Sequence, residues 1–209
     1  MRVLLASASQ RRLDWLNGRY ESIELICKPL LSKEKNIENR ETVEKQSADI
    51  CFSKVESAAL EWSLRDSDTP NDPDIIIVSD TLVEAPGEMK IALGKPENRM
   101  DAISMLLRLS GKRHRVWSST AILTRDSNQY QKIYSEWRYK IWTDFAVVEF
   151  DDLSEEDLIS LVESDSWVGK AGGYDLAGAA SQYTKIIEGD EVTVLGFSKQ
   201  AIDEFEEII

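Results

Sequence analysis

The chain has 209 residues, with 25 Lys plus Arg against 38 Asp plus Glu, a formal charge of −13. Its 42% apolar and 30% charged residues fit one soluble globular domain over 1–209, long enough to bury a core without staples. The charge argues against non-specific binding of a nucleic acid polymer or an anionic membrane. No apolar run approaches the roughly 18 residues of a membrane span. The five-residue apolar stretch in MRVLLASASQRRLDWL is too short for a signal-peptide core, so a cytoplasmic protein is expected.

The elements follow in chain order. Residues 2–6 (RVLLA) read as a buried strand, and Ser9 as the N-cap of a helix over 11–17 that Gly18 ends. SIELIC (22–27) reads as a second strand. From Glu41 to Leu64 the pattern is helical, with an apolar stripe of Val43, Ser47, Ile50, Cys51, Ala58 and Leu60 to Trp62. RDSDTPNDP (65–73) is a loop. DIIIVSD (74–80) reads as a fully buried central strand, because its Ile and Val run lacks alternation. A hairpin through Pro86-Gly87 and a GKP turn at 94–96 come next. Glu97 to Leu109 is an amphipathic helix with Met100, Ile103, Leu106, Leu107 and Leu109 inward, stopped by Ser110-Gly111. Stretches 114–124 and 132–150 form a hairpin, and Ser154 with Asp157 caps a helix ending near Glu163. A Gly-rich loop, GKAGGYDLAG (169–178), a strand at 184–187 and a helix at 198–208 complete an α/β pattern.

Four segments bear chemistry. SASQRR (Ser7 to Arg12) lies at a strand-to-helix junction, where free N–H groups and the helix dipole favour an anion. Arg11 and Arg12 suit phosphate oxygens there, or are solvated first-turn side chains. SDT (79–81) puts Asp80 at the carboxyl end of the most apolar strand, where a carboxylate holds a divalent metal, acts as a general base, or caps a turn. Lys54 falls on the apolar face of its helix, paired with a ligand or snorkelling to the surface. Lys95 sits on the tight GKP turn, alone a surface feature, and the glycines of 169–173 permit close backbone approach. Cys27 and Cys51 have no C-x-x-C spacing. With His114 as the one histidine, no zinc cluster assembles. His114 reads as a structural hydrogen-bonding residue rather than a catalytic base.

Taken in order, these segments resemble the Maf family of nucleoside triphosphate pyrophosphatases. LLASASQRRLDWL is similar to that family's LASxSPRRxxLL, and SDTLV…LGKP…LSGKRHRV to its ADTVV…LGKP…LSG..H.V. KAGGYDLAG…IIEGDEVTVLGF is similar to KAGAYGIQG…I.G.Y.NVVGLP. The resemblance implies a mixed central sheet flanked by helices, two lobes around a cleft, as in inosine triphosphate pyrophosphatase-like folds, and a homodimer. It implies hydrolysis of a nucleoside triphosphate to a monophosphate and pyrophosphate with a divalent metal cation (Mg²⁺ or Mn²⁺). Residue by residue it implies Asp80, Lys54 and Lys95 as catalytic, and Ser7, Arg11 and Arg12 as phosphate-binding. Asp80 and Glu34 fall on the metal positions, the latter in a Lys33-Glu34 pair. Arg11, Thr81 and Ala177 occupy the specificity positions, where the dTTP- and UTP-hydrolysing branch carries Arg, Thr and Gln. Two of those three match, which leans toward pyrimidine triphosphates or their modified forms. Pyrophosphatase action on 7-methyl-GTP, and a non-catalytic nucleotide-binding regulator of cell division, are the alternatives.

Overall fold

A computed structural model describes residues 1–32, 41–64 and 72–209. The strands are β1 (Arg2–Leu5), β2 (Glu24–Cys27), β3 (Ile75–Ala85), β4 (Glu88–Leu93), β5 (Arg113–Thr124), β6 (Gln131–Lys132), β7 (Arg138–Phe150) and β8 (Thr184–Glu188). The helices are α1 (Gln10–Arg19), α2 (Val43–Ser63), α3 (Arg99–Leu109), α4 (Glu155–Glu163), α5 (Glu191–Leu195) and α6 (Lys199–Ile208). All the strands belong to one mixed sheet in the order β2-β1-β3-β5-β7-β6, with β4 paired to β3 and β8 to β7. β1 is parallel to β2 and β3, and the remaining pairs are antiparallel. The expected mixed α/β architecture is therefore the one observed.

β3 is the axis of the fold, and its side chains alternate between faces. Ile76 and Val78 pack with Cys51, Val55 and Ala58 of α2. Ile75 and Ile77 face the other way, onto Leu16 of α1 and Ile202 and Phe205 of α6. Further along that second face, Val83 packs with Leu106 and Leu109 of α3 and Leu161 and Val162 of α4. Both faces of the strand are covered, so its sequence is apolar without alternation.

Caps fix the helix starts. The hydroxyls of Ser9, Thr42, Ser154 and Ser198 each accept a backbone N–H of the first turn. Ser154 and Asp157 close a reciprocal capping box. Four expectations need correction. The stretch 132–150 is not one strand, because β6 ends at Lys132 and folds back antiparallel onto β7, which begins at Arg138. α1 runs through Gly18 to Arg19, with the Tyr20 N–H donating to the Leu16 carbonyl, so Gly18 is a helical residue and not the stop. In α3 the inward residues include Ala102, Leu106 and Leu109, while Met100 and Leu107 are 71% and 54% exposed. Those two lie seven residues apart, on one outer stripe of a 3.6-residue helix. The third strand does not end at Asp80 but continues to Ala85, because β5 pairs with it continuously from Ile75 to Val83. The 65–73 loop lies mostly outside the described residues.

No helix among the described residues is long and apolar enough to cross a membrane. His114 is buried on β5, with Nε2 2.8 Å from the Tyr174 hydroxyl and Nδ1 without a partner in the protein. Burial pushes its pKa down from 6.5 to about 4. It lies outside the cavity described below, which fits the structural role expected of it.

Candidate active site

A notch in the sheet makes the site. β1 ends at Leu5, opposite Ile77, and β4 joins β3 only at Val83. Because β5 occupies the other edge of β3, the edge between Val78 and Leu82 has no strand partner among the described residues. Backbone groups on such an edge need other partners. Here cationic side chains serve. The Ser79 carbonyl accepts from Arg12 Nη1 at 3.2 Å and from Lys54 Nζ at 3.3 Å. Asp80 is thus placed in mid-strand, opened to the cavity by the missing neighbour and not by a strand end.

A cavity of about 550 Å³ fills this notch. Ser7, Arg11, Arg12, Lys54, Asp80, Thr81 and Lys95, scattered over the first half of the sequence, all line it. Lys170 joins them from the Gly-rich loop. Among the described residues, five cationic side chains and one carboxylate therefore meet in the wall, in a chain whose formal charge is −13. Ala177 is exposed and lies outside the wall, so this expected specificity position presents no side chain to the cavity. Glu34 lies outside the described residues.

Lys54 and Asp80 form the central pair. Nζ donates to Oδ1 at 2.8 Å, with both side chains largely buried. Asp80 Oδ2 is buried and has no hydrogen-bond partner among the described residues. An acceptor left open beside an engaged one is what a reacting water or a hard cation needs. α2 supplies Lys54 because its apolar face carries Cys51, Val55 and Ala58 into the core, which brings the lysine between them onto the notch.

Arg12 is a built-in cation. Its Nε donates to the Gly196 carbonyl at 2.9 Å, and its Nη2 to Thr81 Oγ1 at 2.8 Å. Nη1 reaches Ser7 Oγ at 3.4 Å as well as the Ser79 carbonyl. Ser79 Oγ shares the Gly196 carbonyl at 2.6 Å. Gly196 has φ +120°, and a Cβ there would lie 2.6 Å from Arg12 Nε, so only glycine lets this chain segment approach the guanidinium.

Arg11 turns elsewhere. Its Nη1 donates to Asp175 Oδ1 at 3.2 Å, while Lys170 Nζ pairs with Asp175 Oδ2 at 2.9 Å. Burial alone would raise the Asp175 carboxyl, but Lys170 and Arg11 outweigh it and hold it below the ordinary value. The loop is pinned in place by Gly172. Its N–H donates to the Gly94 carbonyl at 2.9 Å, and a Cβ there would meet Val83 at 3.0 Å. Asp175 and Lys170 were not anticipated. They flank the glycines in the sequence, but their partner Arg11 is 164 residues from Asp175, and no spacing pattern reports such a contact. Lys95 sits on the turn beside Gly94, exposed and lining the cavity.

Cys51 is not a candidate nucleophile. It is fully buried, and burial pushes its thiol up to about 12. Among the described residues no three His, Cys, Asp or Glu side chains converge as a metal cage.

The fold and the cavity define an α/β protein with a cation-rich pocket around one lysine-bound carboxylate, a site for a polyanionic small molecule. The family model of the Maf-like protein matches residues 2–205, and the chain belongs to that family. A dTTP/UTP pyrophosphatase of Clostridium acetobutylicum is 30% identical over 198 residues, covering 94% of this chain and 92% of the relative. One from Bacillus velezensis is 30% identical over 210 residues, covering 98% and 96%. Among solved structures, that of the Staphylococcus aureus Ham1 protein is similar over 73% of each chain at 14% identity with a TM-score of 0.42, a likeness too slight to carry an argument.

Proposed function

We propose that the protein hydrolyses a nucleoside triphosphate between the α- and β-phosphates, giving a nucleoside monophosphate and pyrophosphate. The substrates are dTTP and UTP or modified pyrimidine nucleotides. One observation carries the reading: among the described residues, a cavity wall with five cations holds the carboxylate of Asp80, whose Oδ2 is buried with no partner among them. A pocket built only to bind phosphates has no evident need of that carboxylate. The names of the 30%-identical relatives support the same substrates.

In this reading Arg12, Ser7, Lys95 and the first turn of α1 hold phosphate oxygens. Lys54 fixes Asp80 through Oδ1 and keeps Oδ2 aimed at a water. Asp80 Oδ2 accepts that water's proton as the oxygen bonds to phosphorus and the α–β bridging P–O bond breaks. Pyrophosphate then leaves with the electron pair of that bond. The cations oppose the charge that grows on the leaving group.

A divalent cation, Mg²⁺ or Mn²⁺, belongs to the proposal. Asp80 offers a hard oxygen, and Mg²⁺ is commonly held by one or two carboxylates plus substrate phosphates rather than by a protein cage. Bound there, it would neutralise phosphate charge. A cytoplasmic setting and a homodimer are part of the same reading.

The test is product analysis on a panel of triphosphates with Mg²⁺ or Mn²⁺. Pyrophosphate from dTTP and UTP is expected. Release of orthophosphate alone, or no turnover of any nucleotide, would overturn the reading. Lys95→Ala is expected to raise KM and also lower kcat, each by about tenfold, since a phosphate contact that strengthens in the transition state affects both. Steady-state parameters equal to wild type would make Lys95 a surface residue.

A further inference from the structure

Arg11 and Lys170 reach the cavity from opposite ends of the chain, one on the first turn of α1 and one in the Gly-rich loop. Asp175 lies between them and binds each through a different oxygen, at 3.2 Å and 2.9 Å. The carboxylate is itself held from behind, because the Ala177 N–H donates to Oδ1 at 3.3 Å. Arg11 also keeps a buried Nε with no hydrogen-bond partner among the described residues. The result is two donors at a set separation, with one negative charge between two positive ones.

That charge pattern decides what the pair suits. A phosphate brought to Arg11 and Lys170 would meet the Asp175 carboxylate within about a hydrogen bond's length of both, and like charges at such range repel. A neutral ring with carbonyl acceptors meets no such penalty. The loop that carries Lys170 and Asp175 also brings Val168, Ala171 and Leu176 into the cavity wall, apolar surface of the kind a flat ring packs on. Arg12 and Lys54 are engaged elsewhere in the wall, Arg12 by the Gly196 carbonyl and Thr81 Oγ1 and Lys54 by Asp80.

We infer that Asp175 is a specificity-positioning residue: it sets Arg11 and Lys170 as a two-donor clamp for the pair of carbonyl oxygens of a uracil or thymine ring. The inference rests on the pyrimidine triphosphate reading and names the atoms that select the base. Cytosine has an amino group where uracil has its 4-carbonyl. Against this clamp that amino group faces a cation, and one charged donor is left unpaired. A missing hydrogen bond to a charged group is worth about tenfold or more in affinity.

Binding, not turnover, tests it, so that a failure here stands apart from a failure of the pyrophosphatase reading. Calorimetry with the α,β-methylene analogues of UTP and CTP is run on the wild-type protein, Asp175→Ala and Asp175→Glu. The wild-type protein is expected to prefer the UTP analogue by about tenfold or more. Asp175→Ala should remove most of that preference, and Asp175→Glu, which can still bridge the two cations, should restore part of it. Lys170→Ala should lose the preference as Asp175→Ala does. Equal affinity of the wild-type protein for both analogues overturns the clamp. So does an unchanged preference in Asp175→Ala. Equal weakening of both analogues in Asp175→Ala also overturns it, because that is the pattern of a lost phosphate contact or a displaced loop.

Discussion

Asp80→Asn is expected to lower kcat by about 10²–10⁴-fold, the usual cost of removing a general base, with more lost where a metal ligand goes too. The argument is geometric. Oδ1 is committed to Lys54 at 2.8 Å, so the chemistry must use Oδ2, which is buried and has no hydrogen-bond partner among the described residues. Asparagine keeps the side-chain shape and can still accept from Lys54 through its own Oδ1. It places an NH₂ donor where Oδ2 was, and a donor neither takes a proton from water nor binds a cation. Lys54 keeps the Ser79 carbonyl as a second acceptor at 3.3 Å, so it is not stranded by the change. The lost ion pair costs stability, and relief of the cost of holding a carboxylate charge in a largely buried place offsets part of it, so the fold should persist. Steady-state kinetics and a thermal melt on one preparation decide the matter. A cooperative melt with kcat near wild type would make Asp80 a structural partner of Lys54.

Acid should destabilise the wild-type protein partly through one residue outside the cavity wall. Burial lowers the His114 pKa from 6.5 to about 4. The unfolded chain therefore takes up a proton near pH 6.5 that the folded protein refuses until about pH 4. The unfolded state binds more protons throughout that window, so stability falls as pH falls through it and is fully restored above it. The contribution is about 3 kcal/mol over the window. The cause is local. Nδ1 has no protein partner, and Nε2 meets the hydroxyl of Tyr174, itself buried, so an imidazolium here would be a charge without a counter-ion. Denaturant unfolding at pH 7.5 and 4.5 is the measurement, with His114→Gln as comparison. The variant begins less stable but should lose about 2–3 kcal/mol less on acidification. Parallel losses in the two proteins would show that His114 does not carry this proton linkage.

Much of the architecture was legible because it depends on short-range rules. An unbroken Ile and Val run means a strand covered on both faces, and Ile75 to Val78 is covered by α2 on one side and by α1 and α6 on the other. Serine or threonine before a periodic stretch means a capped helix, as Ser154 with Asp157 shows. The misjudged points share a cause. Residue type points Met100 and Leu107 inward, but which stripe of a helix is buried depends on the surface it meets. The end of the apolar run points to a strand end at Asp80. The strand continues because the pairing partner, β5, continues, and pairing is a property of two segments.

The sequence by itself determined the α/β class, the membership signalled by the ordered motifs, and two of the residues that meet in the cavity, Lys54 and Asp80. Lys54 and Asp80 were identifiable because a lysine on an apolar helix face and an aspartate after an apolar strand each conflict with local burial, and that conflict is readable within a few residues. Only the tertiary structure decided how the site opens and what its arginines do. The notch exists because β1 stops at Leu5 and β4 joins at Val83, two lengths set by different stretches of chain. Arg11 and Arg12 are neighbours in sequence and identical in chemistry, yet one is fixed by the Gly196 carbonyl and the other by Asp175. Side chains one residue apart on a helix point about 100° apart. Their partners, 184 and 164 residues away, are brought to them by the packing of the whole sheet.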